Sequence, residues 1–147
     1  MRRKLGLFGE ETDDGELIAD LLDWTLAQEA DYTNLFRALS TAEVPAEGIY
    51  ADTDFRDWHT RWQARLARNP KPLRSSRCLM RATNPAYIPR NHRVEAVLSA
   101  ASESGDLEPL QKLLGVLAQP YDERAGLGVY IEPNPAGPGC YQTFCGT

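Results

Sequence analysis

What the sequence lacks narrows its function before any motif is considered. No run of apolar residues approaches the ~20 that a membrane-spanning helix requires, and the opening MRRKLGLFGEE has no long apolar core of the kind an export signal carries. A soluble, unexported protein without a membrane partner is expected. Cysteine is scarce and odd in number, with Cys78, Cys140 and Cys145 in no metal-ligand spacing. This argues against a disulfide scaffold and for reduced thiols. The only two histidines, His59 and His92, stand 33 positions apart, which rules out an i, i+4 metal pair. Basic residues number 16 against 21 acidic ones, a net charge of −5, so the dominant positive surface that nucleic acid demands is missing. No stretch alternates β-branched residues long enough for a sheet, and no repeat recurs at the roughly 30 to 45-residue periods of helical arrays.

What is present is helical. The 147 residues, 42% of them apolar, suffice for a modest core. Met1, Leu5 and Phe8 repeat at helical spacing with no cap before them, as in the tail of a helix begun upstream, and Gly6 and Gly9 end it. Thr12 or Asp13 caps a helix carrying Leu17, Ile18, Leu21, Leu22 and Leu26. Asp31 caps a second with Tyr32, Leu35, Phe36 and Leu39. Asp52 or Asp54 starts a third, whose Phe55, Trp58, Trp62 and Leu66 share a core face while Arg56, Arg61, Arg65 and Arg68 point largely elsewhere. A short helix over Leu73 to Arg81 follows. Another over Arg90 to Ser104, with Val94, Val97, Leu98 and Ala101, is closed by Gly105. Asp106 then caps Leu107 to Ala118, which turns Leu110, Leu113, Leu114 and Leu117 inward. Beyond Pro120 the prolines and glycines preclude regular structure. The expected architecture is all-α: antiparallel helix pairs over residues 1–119 and an irregular Pro/Gly-rich tail over 120–147.

Charge is unevenly placed. Seven acids fall between Glu10 and Asp23, and seven bases without an acid between Arg61 and Arg81. Solvated helix faces or an intramolecular docking pair are the favoured explanations. Asp52-Thr53-Asp54 has the form of a metal-binding D-x-D, but its place before a helix favours capping. Arg81, Arg90 and Arg93, near Asn84 and Asn91, either hold an anionic group or bond carbonyls and carboxylates of neighbouring helices. Gly126-Leu127-Gly128 and Gly137-Pro138-Gly139 lack the strand and helix that a phosphate-binding loop needs.

Ordered segments carry a family resemblance. Met1-Arg2-Arg3-Lys4-Leu5-Gly6-Leu7 resembles M-R-x-K-L-G-[LF], and Asp31-Tyr32-Thr33 with Phe36-Arg37-Ala38-Leu39-Ser40 resembles D-Y-T-x-x-F-R-x-L-S. Met80 to Asn84-Pro85-Ala86-Tyr87-Ile88-Pro89-Arg90-Asn91 is similar to M-x-x-x-N-P-x-Y-[IV]-x-R-N; Gly105-Asp106, Pro120-Tyr121-Asp122 and Cys145-Gly146-Thr147 follow in order. Together they resemble the C-terminal section of the selenoprotein O (SelO/YdiU, UPF0061) family of pseudokinase-like protein AMP transferases. Two departures stand in the tail: Pro133-Asn134-Pro135-Ala136 lacks the family's Trp, and Cys-Gly-Thr replaces Cys-Ser-Ser.

The resemblance implies a kinase-like fold that uses ATP and Mg or Mn to transfer AMP to protein Ser, Thr or Tyr hydroxyls. The family's catalytic, nucleotide-binding and metal-binding residues precede this segment, so no residue here takes those roles and this chain binds no cofactor itself. The implied partners are the missing N-terminal kinase-like lobe and, in the full-length form, protein substrates, in a bacterial cytoplasm. Cys145 is the candidate redox-regulatory residue: the resemblance gives it a disulfide to the activation-loop region that reduction would open. The alternative is an independent helical protein-interaction module without enzymatic activity. A third reading, nucleic-acid binding by Arg61 to Arg81, is disfavoured by the acidic total.

Overall fold

The computed structural model describes residues 1–135 and 137. Among them are six α-helices and no β-strand: α1 (Asp14–Ala27), α2 (Tyr32–Leu39), α3 (Thr53–Ala67), α4 (Leu73–Thr83), α5 (Asn91–Ser104) and α6 (Glu108–Leu117). The all-α expectation is met. The chain divides into two compact units, Met1–Pro85 and Ala86–Thr147.

The first unit is organised by α3. Phe55, Trp58, Trp62 and Leu66 recur every three or four residues, so all four face the interior, and all are buried. Around them close Leu5, Leu17, Leu21, Trp24, Phe36 and Met80. A buried indole N–H needs an acceptor. That of Trp58 donates to the Leu17 carbonyl at 2.8 Å, that of Trp62 to the Leu5 carbonyl at 3.0 Å, and that of Trp24 to Asp52 Oδ1 at 2.9 Å. Each bond ties a different segment to the core, so the tryptophans fix orientation as well as supplying apolar area. The rings of Trp58 and Trp62 stack with centroids 5.7 Å apart.

Helix starts follow local chemistry. Asp31 Oδ1 accepts from the Asn34 N–H at 2.8 Å and Asp52 Oδ1 from the Phe55 N–H at 3.2 Å, satisfying amide donors that the first helical turn leaves without partners. At α1, Asp13 occupies the cap position without a side-chain cap bond. The next carboxylate, Asp14, instead accepts from the Glu11 N–H at 3.1 Å. The stripe of α1 is also narrower than its leucines suggest: Leu17, Leu21 and Trp24 are buried, whereas Leu22 is exposed and Leu26 is 80% exposed. Spacing explains this, because residues 17, 21 and 24 share one line along the helix, whereas residue 22 sits more than a third of a turn away and residue 26 on the opposite face.

The opening segment is a short 3-10 helix, Arg2–Leu5, closed by Gly6 at φ +71°. Gly6 also lies against α4: a Cβ there would stand 3.0 Å from the Ser76 Cβ and 3.1 Å from the Met80 Cγ. Glycine is required for its backbone angle and for this contact.

In the second unit α5 and α6 form a hairpin. Gly105 ends α5 at φ +69°, Asp106 Oδ1 accepts from the Glu108 N–H at 3.0 Å, and Pro109 sits in the first turn of α6, where its missing N–H costs little. The buried positions are Val97, Leu113 and Val116. Leu98 and Leu114 do not turn inward as their spacing suggests; with Leu107 they remain more than half exposed, at 53%, 57% and 51%. After Pro120 the described chain is irregular except for a 3-10 turn at Gly128–Tyr130.

Comparing two alanine substitutions separates the two demands on Gly6. Gly9 has φ +76°, and a Cβ placed on it would meet nothing within 4 Å, so Gly9→Ala is expected to cost about 1 kcal/mol, the left-handed penalty alone. Gly6→Ala is expected to cost about 1–3 kcal/mol more through overpacking against Ser76 and Met80. Urea denaturation of both variants followed by circular dichroism reads the difference, and equal losses would refute the packing role.

Candidate functional site

Three polar arrangements in the chain could carry function, and two prove to be spent on the fold. The first joins the acidic and basic runs. Asp14, whose side chain is fully buried, faces Arg65, whose side chain is 4% exposed. Arg65 Nε donates to Asp14 Oδ1 at 2.7 Å and Nη2 to Oδ2 at 3.3 Å, a two-pronged pair. The remaining lone pairs of the carboxylate accept from Arg2 Nε at 3.1 Å and the Glu11 N–H. The remaining guanidinium donors reach Asn69 Oδ1 at 2.9 Å and the Phe8 carbonyl at 3.4 Å. Arg68 to Glu11 at 2.8 Å and Arg61 to Asp20 at 2.6 Å extend the seam on the surface, and Arg2 also meets Glu10. Arg61, Arg65 and Arg68 of the basic run thus dock intramolecularly on Asp20, Asp14 and Glu11 of the acidic run. Arg65 corrects the expectation that it points away from the core: it lies three residues past Trp62, on the edge of the buried stripe, and a buried carboxylate meets it there. Burial pulls the Asp14 pKa up, but the hydrogen bonds from Arg65 and Glu11, the Arg65 charge and the Arg2 bond outweigh it, and the net shift is downward from 3.8.

The second arrangement is Asn84. Its amide donates to the Lys4 carbonyl at 2.8 Å, the Phe36 carbonyl at 3.3 Å and Ser40 Oγ at 3.2 Å, while Oδ1 accepts from Lys4 Nζ at 3.3 Å and its own carbonyl accepts from Arg37 Nη1 at 3.0 Å. The opening segment and α2 thus converge on one buried side chain at the end of α4. Arg81 Nε likewise donates to the Ser40 carbonyl at 3.3 Å, and Arg93 Nη2 to the Val129 carbonyl at 2.8 Å and Glu132 at 3.3 Å. Of the two roles open to these arginines, bonding to neighbouring elements is the one they take at these contacts.

The third is a cleft of about 880 Å³ in the first unit, between α3, α4 and residues 41–44. Leu39, Trp62, Leu66 and Met80 form its floor, and Val44, Pro70, Pro72 and Leu73 its walls. Glu43, His59, Gln63, Lys71 and Arg77 bring polar groups to it. Desolvation against the ring cluster lowers the His59 pKa from 6.5, so the imidazole is neutral at neutral pH. No sequence motif announces this cleft, because its lining comes from segments between residues 39 and 80 that only folding brings together.

The other candidates resolve simply. Asp52 caps α3 and holds Trp24, and the Trp24 and Phe55 hydrogen bonds depress its pKa. Among the described residues no group of three or more His, Cys, Asp or Glu side chains could hold a metal ion. His59 belongs to the first unit and His92 to the second. Cys78 is an exposed free thiol. Cys145, the candidate redox residue, lies outside the described residues, as does Cys140. Among the described residues no helix is long and apolar enough to cross a membrane.

The fold and its polar network thus define a helical section whose motif residues mainly hold helices together. Comparison with known proteins gives its family: the family described as "Protein adenylyltransferase SelO" matches residues 1–118. The chain is 54% identical over its whole length to the protein nucleotidyltransferase YdiU of Alcanivorax borkumensis, 50% to that of Nitrosococcus oceani and 49% to that of Syntrophotalea carbinolica, covering 30% of each. The chain belongs to the SelO family, and it spans about 30% of the length of the curated relatives it matches.

The buried pair makes the first unit sensitive to acid in a defined direction. Because the folded pKa of Asp14 lies below 3.8, the unfolded chain takes up the proton more readily. The contribution of the pair is complete above about pH 4 and is lost as pH falls through the depressed value. At neutral pH Asp14→Ala is expected to cost about 3–5 kcal/mol by leaving Arg65 buried without its partner. Denaturant unfolding of wild type and variant as a function of pH should show the gap closing only below about pH 4; a gap independent of pH would refute the assignment.

Proposed function

We propose that this chain is the C-terminal section of a SelO-type protein adenylyltransferase, which transfers AMP from ATP to protein Ser, Thr or Tyr hydroxyls, and that its helices support a catalytic lobe lying outside these 147 residues. The observation that carries this reading is the family match over residues 1–118 joined to the use those residues make of their polar groups. Arg65 and Asn84, which in isolation are plausible ligands for an anion, are committed to internal bonds. ATP and Mg or Mn would be held by the absent lobe, and no step is assigned to a residue of this chain. Cys145 would act as a redox latch, closed by a disulfide to that lobe and opened by reduction.

The exposed Leu98, Leu107 and Leu114 of the α5–α6 hairpin suit a buttress, since helices shaped against another body keep an apolar face. They also sustain the second reading, an independent helical interaction module.

Two measurements test the proposal. Incubated with ATP labelled at the α-phosphate, the purified chain is expected to transfer no label to itself or to bulk protein, whereas the full-length form transfers it. Labelling by the chain alone would overturn the division of labour. In the full-length protein under oxidising conditions, peptide mass spectrometry is expected to find Cys145 in a reducible disulfide; a thiol that stays free throughout would end the latch.

A further inference from the structure

We propose that the cleft between α3, α4 and residues 41–44 is a binding site for an amphipathic organic anion: one carboxylate or sulfonate head on a medium-length hydrocarbon or aromatic body. Its volume of about 880 Å³ falls within the roughly 300–1,000 Å³ of small-molecule sites, which join apolar walls to a few placed polar groups.

The ligand's chemistry follows from which lining groups retain capacity. The floor is apolar in effect, because Trp62 spends its N–H on the Leu5 carbonyl. Asn69 is committed: its amide donates to the Gly6 carbonyl and to Ser76 Oγ, both at 2.9 Å, and its oxygen accepts from Phe8 and Arg65. Thr41 Oγ1 is occupied by the carbonyls of Ala38 and Glu43 at 2.6 and 2.7 Å.

Gln63, Lys71 and Arg77 remain, and of these only Lys71 and Arg77 carry charge. Arg77 donates from Nη2 to the Ala42 carbonyl at 3.1 Å, and Lys71 Nζ rests over the Phe8 ring 4.7 Å from its centroid. Neither has a carboxylate within ion-pair distance among the described residues. Glu43 is the acid of the lining and His59 adds no charge at neutral pH, so two cations face one anion. That balance selects a single negative head over a neutral or cationic one, and the Trp62, Leu66 and Met80 floor selects an apolar body.

The 147-residue chain is titrated with decanoate, decanol and decylammonium, with tryptophan fluorescence and calorimetry as readouts, since Trp62 lines the cleft. Decanoate is expected to bind at one saturable site, more tightly than either other probe. The double variant Lys71→Gln/Arg77→Gln should weaken decanoate by about tenfold or more and leave decanol unchanged. Leu73→Glu, at an exposed position of the wall, should block decanoate while circular dichroism confirms the fold. Absence of saturable binding, decanol or decylammonium binding as tightly as decanoate, or a double variant with undiminished affinity would each overturn the proposal.

Discussion

The pairing of Asp14 with Arg65 is the constraint on which the first unit depends. Two charges are withdrawn from water between α1 and α3, which is tolerable only because every side of the pair is occupied: Arg2 and the Glu11 amide on the carboxylate, Asn69 and the Phe8 carbonyl on the guanidinium. A looser arrangement would lose more in desolvation than it recovers. The pair therefore selects one register of α1 on α3, which in turn sets Leu17 where its carbonyl meets the Trp58 indole.

The asparagines extend the same logic. Asn69 joins the end of α3 to the opening segment and to α4, and Asn84 joins the opening segment to both ends of the α2–α4 contact. Each replaces many weak contacts by a few directional ones at points where chain segments leave regular structure and their carbonyls would otherwise be buried without donors. Lys4, Phe36, Ser40 and Asn84 all fall within the segments that carry the family resemblance, so for these residues the motif records how helices are fastened rather than where chemistry occurs.

Periodicity made much of this fold legible. Phe55, Trp58, Trp62 and Leu66 announce a core face because no solvent-exposed helix places four large apolar groups in one line, and Asp31, Asp52 and Gly105 mark helix boundaries through local chemistry that tertiary context rarely overrides. Arg65 was obscured by its neighbours, since one arginine in a basic run carries no local sign that it alone is buried; the signal lay fifty residues away in Asp14. Leu26, Leu98 and Leu114 misled in the opposite sense, because spacing identifies an apolar stripe without saying how wide a covering the partner supplies. The cleft had no linear signature at all: Val44, Trp62, Lys71 and Arg77 come from a loop, a helix, a turn and another helix.

Within the second unit, Tyr87 has a consequence for where the folding unit ends. The Ala86 and Tyr87 amides both donate to the Pro120 carbonyl, at 2.7 and 3.1 Å, and the Tyr87 hydroxyl accepts from the Arg124 N–H at 3.0 Å, while Arg124 reaches back to the Val116 carbonyl at 2.9 Å. These bonds clasp the base of the α5–α6 hairpin from residues that lie past position 118, where the family match stops. A protein trimmed to that boundary would keep both helices and lose the buckle that closes them, leaving a buried phenol and two amides without acceptors or donors. The end of the family match and the end of the structure that depends on it are therefore different places in this chain.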